Sequence, residues 1–187
     1  ALLMPPYVED SAEVGRIARL EPGTFENASI YQHAVAFKIY ADIASGNYGD
    51  AVETFRRVLP TNPDNPDSRR TSEPYCTGNF YCGPSHERFG QNFFTWFTGN
   101  PAWLLRAGFD EICGVKADYE GLAIQPKVPD EWSAYTVNRK FRGVSYKIDF
   151  QRVCSETEKG IWVDGIKIEE KVIKHQDREK VDVKVCF

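Results

Sequence analysis

The sequence predicts an α+β protein in two parts, a helical first part with long loops and a β-rich second part. Apolar residues recur at helical spacing in the first part, whereas short β-branched and aromatic runs dominate the second. Nine of the eleven prolines precede Glu111, and ten of the eleven lysines follow it. This shift in composition predicts a boundary near Cys113, with one domain over residues 1–113 and another over residues 114–187.

Three helices are predicted in the first part. Asn27 is the expected N-cap of the first, which runs to about residue 45 and buries a face made of Ile30, Ala34, Phe37 and Ala41. A second helix covers residues 48–58 and stops before Pro60. The third begins near Pro101 and ends before Gly114. Residues 60–90, rich in Pro, Asn, Ser and Gly, are predicted to form a long ordered loop.

The second part contains six short runs with strand character: residues 122–124, 135–141, 144–150, 160–163, 167–172 and 181–186. Arg142-Gly143 and Asp164-Gly165 are suited to tight hairpin turns between neighbouring runs. Six strands at this spacing predict a small antiparallel β-sandwich.

Composition and motifs exclude several classes of function. A net charge of −4 without a block of basic residues argues against a nucleic-acid-binding surface. No apolar run is long enough to span a membrane. The five cysteines form no C-x-x-C pair, so neither a disulfide framework nor a metal site is expected. No phosphate-loop or dinucleotide motif is present, and we expect no bound cofactor.

A few polar residues are candidates for chemistry. The free N–H groups at the helix start near Thr98-Gly99 suit an anion, although a plain helix cap explains the same residues. His33 lies near the apolar face of the first helix, and its position by itself favours a partly buried structural histidine. Glu26 and Glu73 lie near the aromatic-rich loop. Glu73 could bind sugar hydroxyls, act as a base, or pin the loop through backbone N–H groups.

Nine short motifs occur in a fixed order between about residues 20 and 165. They are Pro22-Gly23-Thr24-Phe25-Glu26-Asn27, Ile30-Tyr31-Gln32-His33-Ala34, Glu73-Pro74-Tyr75, Gly83-Pro84, Thr95-Trp96-Phe97-Thr98-Gly99, Trp103, the run from Gly114 to Leu122, Pro129-x-x-Trp132, and Arg139-x-Phe141-Arg142-Gly143. This series resembles the C-terminal part of the inverting disaccharide phosphorylases of the cellobiose and chitobiose phosphorylase family, glycoside hydrolase family 94.

The resemblance implies a fold and an activity. Residues 1–113 are expected to be the closing helices and loops of an (α/α)6 catalytic barrel, and residues 114–187 an appended jelly-roll-like β-sandwich. The implied reaction is reversible phosphorolysis of a β-linked disaccharide or short oligosaccharide, with inversion, to an α-sugar 1-phosphate. Inorganic phosphate is the co-substrate. A cytoplasmic homodimer is the expected state of the full-length protein.

The resemblance also assigns roles to individual residues. His33, Thr98 and Gly99 match the positions that bind phosphate. Asn79, six residues beyond Glu73, matches the position that contacts the donor sugar, which is often Gln in the family. Glu26, Phe25 and Glu73 are expected on the substrate side, although Phe25 stands where cellobiose-type members have Lys. We therefore expect His33 to lie close to Thr98 and Gly99 in space.

The family's general acid is an Asp upstream of the His motif, so it is expected to precede Ala1, and no catalytic residue is assigned within this sequence. The chain is thus expected to be a fragment that is inactive alone. Two alternatives remain: an inverting glycoside hydrolase on the same barrel, resembling glucoamylase, and a non-catalytic carbohydrate-binding or structural fragment.

Overall fold

The computed structural model describes residues 4–187, which form two compact units. The first unit consists of residues 4–45 and Asp50–Leu105, and the second of Gly46–Gly49 and Arg106–Phe187. The protein is α+β: the helices belong mainly to the first part of the chain, and the second part is β-rich. The domain boundary that the sequence predicts after Cys113 stays a prediction.

The first part of the chain combines short helices with a small sheet. After a 3-10 helix at Gly15–Arg19 come β1 (Ile30–Tyr31), α1 (Gln32–Ala44), α2 (Tyr48–Val58), α3 (Asp67–Arg70), β2 (Phe80–Tyr81), β3 (Asn92–Phe93) and α4 (Asn100–Arg106). The chain then continues from α4 into a π-helical segment, Ala107–Ile112. The predicted second and third helices are confirmed, and the predicted loop 60–90 contains α3 and β2.

The prediction that Asn27 caps the first helix is wrong. Helix α1 begins five residues later, after Tyr31, and has no side-chain cap. Asn27 is instead buried among loops, where its Nδ2 donates to Tyr7 O at 2.9 Å and to Leu20 O at 2.8 Å. The sequence pattern fails here because Asn satisfies backbone groups in turns as readily as it caps helices.

The buried face of α1 also differs from the prediction. Gln32, Ala36, Ile39 and Ile43 are the buried residues of this helix, whereas Phe37 is 54% exposed. Their spacing of four, three and four residues is that of one helical face. A polar residue, Gln32, thus begins the stripe that faces the interior.

The second unit holds the β-strands β4 (Val115–Ala117), β5 (Gly121–Ile124), β6 (Ala134–Phe141), β7 (Val144–Gln151), β8 (Gly160–Val163), β9 (Ile166–Ile168), β10 (Val172–Lys174) and β11 (Lys180–Cys186). They form a three-stranded sheet in the order β10-β5-β4 and a five-stranded sheet in the order β6-β7-β11-β8-β9. The predicted run 167–172 is divided between the two sheets, because its ends pair with different partners.

The two sheets of the second unit share one hydrophobic core. Val144, Tyr146, Ile148 and Phe150 alternate along β7 as its buried residues, as a strand with one face on a core requires. Val115, Leu122, Ile124 and Ile173 from the smaller sheet join the same cluster. Both predicted hairpins are confirmed, with positive φ at both turn residues, 48° and 87° at Arg142-Gly143 and 47° and 83° at Asp164-Gly165.

The prediction of an antiparallel sandwich needs one correction. Strand β11 pairs with β7 in parallel, over seven residue pairs from Lys180 opposite Ser145 to Cys186 opposite Gln151. The chain leaves β7, forms β8 to β10, and returns to insert its last strand between β7 and β8. Local sequence cannot show this insertion, because alternation along a strand is the same in both pairing directions.

Within residues 4–187, the longest apolar helical stretch falls short of what a bilayer crossing needs.

Candidate functional site

The three-stranded sheet of the first unit brings together three distant segments that carry predicted site residues. Ile30 and Tyr31 pair with Tyr81 and Phe80, and the same two residues of β2 pair with β3. Hydrogen bonds extend this pairing, since Gln32 N donates to Asn79 O at 2.9 Å and Asn79 N donates to Phe93 O at 3.0 Å. The start of α1, the segment before β2 and the segment around β3 therefore meet.

His33 and Gly99 are neighbours in space. His33 is the second residue of α1, and a methyl group on Gly99 would lie 3.5 Å from its Nε2 atom. The rings of Tyr31 and Phe37 flank the imidazole, with centroids 6.2 and 6.3 Å away. The structure thus brings His33 next to Thr98-Gly99, as the sequence predicts, and an imidazole N–H can donate to an acceptor placed there.

Thr98 uses its hydroxyl oxygen at the start of α4. Its Oγ1 accepts a hydrogen bond from the backbone N–H of Asn100 at 3.2 Å. That N–H is therefore not available to a bound anion. The predicted anion site at the start of α4 has one free backbone donor fewer than the sequence suggests. The Thr98 hydroxyl keeps its own proton to donate.

Glu26 and Phe25 lie side by side but have different surroundings. Phe25 has a positive φ of 44°, and its ring packs on Phe80 at 4.8 Å and on Phe94 at 5.2 Å between centroids. Its side chain is therefore part of an aromatic cluster. Glu26 Oε2 is buried and has no hydrogen-bond partner among the residues that the structure describes.

The backbone of Asn79 is hydrogen-bonded, whereas its side-chain oxygen has no hydrogen-bond partner among the described residues. Both backbone groups join neighbouring segments, whereas Oδ1 is buried without a partner in the described part of the chain. A buried polar atom in this state costs free energy unless a ligand or a water molecule pairs with it. Asn79 therefore suits the role of a sugar contact.

Glu73 differs from the other candidates because it is fully exposed and already bonded. Its Oε1 accepts a hydrogen bond from Trp96 Nε1 at 3.0 Å and lies 3.4 Å from Thr95 Oγ1. The pKa of this carboxyl is lowered, first by a hydrogen bond with the backbone of Glu73 itself and then by the bond from the Trp96 indole. Glu73 is thus an ionised group that joins two loops of the first unit.

Sequence reasoning did not find two features of this region. Gln32 is fully buried, and neither atom of its amide has a partner among the described residues. The spacing 32, 36, 39 and 43 could have revealed it as part of the inward face of α1. Trp96 and Phe97 are 76% and 82% exposed, and the density of aromatic residues between 71 and 110 was a signal for such surface rings.

Comparison with known proteins gives a consistent result. Residues 1–114 match the family described as the glycosyl hydrolase 94 superfamily, catalytic domain. The chain is 34% identical over 168 residues to solabiose phosphorylase from Paenibacillus borealis, covering 89% of this chain and 22% of that protein. It is 39% identical over 148 residues to 3-O-beta-D-glucopyranosyl-beta-D-glucuronide phosphorylase from the same organism, covering 79% and 19%.

A more distant relative has the same kind of name. N,N'-diacetylchitobiose phosphorylase from Vibrio proteolyticus is 26% identical over 170 residues, covering 90% of this chain and 21% of that enzyme. The chain therefore spans about a fifth of the length of the curated relatives it matches.

Proposed function

This chain belongs to the glycosyl hydrolase 94 superfamily, and from that premise we propose that it forms part of an enzyme that phosphorolyses a β-linked disaccharide or short oligosaccharide. The reaction is reversible and inverts the anomeric centre, so that the product is an α-sugar 1-phosphate. Relatives named as phosphorylases of three different sugars support the reaction type and leave the acceptor sugar open.

The proximity of His33 to Gly99, where an added Cβ would lie 3.5 Å from Nε2, is the observation that carries this proposal. An imidazole N–H, the Thr98 hydroxyl and the Gly99 backbone N–H are three donors that can converge on the oxygens of one phosphate. A hydrolase that inverts needs a carboxylate base on this side to activate water. Donors suit phosphate instead, because the phosphate is itself the nucleophile and needs no base.

The rest of the reaction needs a general acid. The leaving sugar oxygen must be protonated as the glycosidic bond breaks. On the sugar side, Asn79 and Glu26 accept from hydroxyls, a role supported by their buried oxygens that lack a partner among the described residues. Phe25 contributes through the aromatic cluster, which offers an apolar wall to a sugar ring.

The fold and assembly of the whole protein are part of the same proposal. Helices α1, α2 and α4 are the closing helices of an (α/α)6 barrel, and the second unit is its jelly-roll-like appendage. The whole enzyme is a cytoplasmic homodimer that uses inorganic phosphate as co-substrate and needs no cofactor.

The test uses the full-length protein with a panel of β-linked disaccharides, with and without phosphate. Phosphorolysis gives a sugar 1-phosphate whose amount rises with phosphate concentration, and the α configuration is read from its proton coupling by NMR. Release of free sugar at the same rate without phosphate would identify a hydrolase. Binding of sugars without turnover would identify a non-catalytic protein.

A further inference from the structure

Glu73 connects the loop before β2 with the loop after β3. Two donors 22 and 23 residues further along the chain converge on its Oε1 atom, the Thr95 hydroxyl at 3.4 Å and the Trp96 indole at 3.0 Å. Glu73 is itself fixed in a turn, in which its carbonyl accepts from Cys76 N at 3.2 Å. The backbone of Glu73 is therefore fixed by the turn, and its carboxylate is bonded to the second loop.

The loop that it reaches is strained. Phe94 and Trp96 have φ values of 52° and 70°, a left-handed conformation that costs free energy for any residue with a side chain. Such a conformation persists only where surrounding contacts impose it. Phe94 has such contacts, because its ring packs on the ring of Phe25 with the centroids 5.2 Å apart.

Trp96 has little packing to hold it, since it is 76% exposed. Two contacts can select its left-handed conformation: the turn bond from Phe97 N to Phe94 O at 3.4 Å and the hydrogen bond from its indole to Glu73. Only the second involves its side chain. Thr98 and Gly99 follow two and three residues later, and Gly99 lies against His33. A rotation at Trp96 would displace both residues from the imidazole.

We propose that Glu73 is a positioning residue, whose carboxylate holds Thr95 and Trp96 so that Thr98 and Gly99 stay against His33. This inference rests on the proposed function for the role of the phosphate site. This role differs from direct binding of substrate by Glu73, and it is supported by the two donors of the same chain that converge on Oε1. An ionised carboxylate accepts more strongly than an amide, so Glu73→Gln weakens the contact and Glu73→Ala removes it.

The first experiment follows the contact in the 187-residue chain by NMR, independently of any activity. The indole N–H resonance of Trp96, assigned by its loss in Trp96→Phe, is expected to move upfield in Glu73→Ala and by less in Glu73→Gln. Glu87→Ala is the matched control, because Glu87 is an exposed glutamate of the same region whose carboxylate lies 3.6 Å from Arg88. An unchanged chemical shift of the Trp96 indole N–H in Glu73→Ala would overturn the proposal.

The second experiment measures phosphorolysis by the full-length enzyme. Glu73→Ala and Trp96→Phe are expected to raise the KM for phosphate about three- to tenfold and to leave the KM for the disaccharide unchanged. Glu73→Gln is expected to recover part of the loss, and Glu87→Ala to behave as wild type. A change confined to the disaccharide KM would show that Glu73 binds substrate instead. If the indole responds but the protein hydrolyses without phosphate, the contact stands and the proposed function fails.

Discussion

A side chain on Gly99 would begin 3.5 Å from Nε2 of His33, so the missing side chain keeps open the space in front of the imidazole. The φ of Gly99 lies outside the left-handed region, and the distance is an ordinary van der Waals contact. The backbone thus does not require glycine at this position. On the proposed function, the glycine leaves the space that a phosphate oxygen would occupy to accept from His33.

Gly99→Ala should therefore impair phosphate use without unfolding the protein. The added methyl group fills the space in front of Nε2, and the expected result is an increase of about tenfold or more in the KM for phosphate, equivalent to one lost charge-assisted hydrogen bond. The melting temperature should stay within about 2 °C of wild type. Gly49→Ala is the control, because a methyl group there meets nothing within 4 Å.

His33→Ala should lower phosphorolysis and the reverse synthesis alike. A hydrogen bond to a phosphate dianion contributes about 1.5–3 kcal/mol, which corresponds to an order of magnitude or more in rate at low phosphate. Both directions suffer because the same site holds the phosphoryl group of the sugar 1-phosphate. Steady-state rates in both directions check this, and a variant impaired in synthesis alone would remove His33 from the phosphate site.

Sequence predicted the local elements of the fold better than their partners. The two glycine-containing hairpins and the helix at Tyr48–Val58 follow from local chemistry, and all three are present. The parallel pairing of β11 with β7 does not follow from it, since it joins residues 35 apart, such as Val181 and Tyr146. Pairing at that separation depends on the path of the whole second unit.

The candidate site was also only partly predictable, because some of its features depend on contacts between distant residues. Ordered motifs predicted that His33 lies near Thr98 and Gly99, and the structure brings Gly99 next to His33. Helical periodicity failed at α1 because its inward face begins with the polar Gln32. The link from Glu73 to Trp96 depends on left-handed φ values at an aromatic residue, which no propensity scale favours. Residues in strained loops take their conformation from distant contacts, and those are invisible in the local sequence.

The second unit should be more stable when it begins at Arg106 than at Gly114. Residues 106–113 supply Asp110, 8% exposed, whose carboxylate bonds Arg139 Nη1 at 2.9 Å and Arg106 Nε at 3.1 Å. They also supply the Cys113 carbonyl that accepts from the Tyr135 hydroxyl at 2.9 Å. Removing the segment breaks the charge-assisted bond of Arg139 to Asp110 and the bond of Tyr135 to Cys113, with an expected loss of about 2–3 kcal/mol.

Urea unfolding of residues 106–187 and 114–187 measures this difference. Asp110→Asn in the longer fragment is the matched variant, because it removes the charge and keeps the chain. Its stability should fall between the two. Equal free energies of unfolding for the two fragments would show that the segment adds nothing, and would favour the boundary that composition predicts.

Acid should destabilise the longer fragment partly through Glu111. Burial by itself raises the pKa of this carboxyl, but the Lys127 ammonium at 2.7 Å and the Lys116 ammonium at 3.1 Å outweigh it and bring the pKa below its usual value. Because the folded pKa is lowered, the stabilisation is fully present above the unfolded pKa of about 4.3. It is lost as the pH falls through the folded pKa.

In Glu111→Gln the free energy of unfolding should therefore decrease less steeply between pH 5 and pH 3 than in the wild-type fragment. The wild-type slope exceeds that of the variant by at most about 1.4 kcal/mol per pH unit, the effect of one proton. Asp149 and Glu170 also have lowered pKa values, but both are present in the wild-type fragment and in Glu111→Gln, so their contributions cancel in the difference between the two slopes. Parallel curves for wild type and variant would mean that the two lysines do not hold Glu111 in its ionised form.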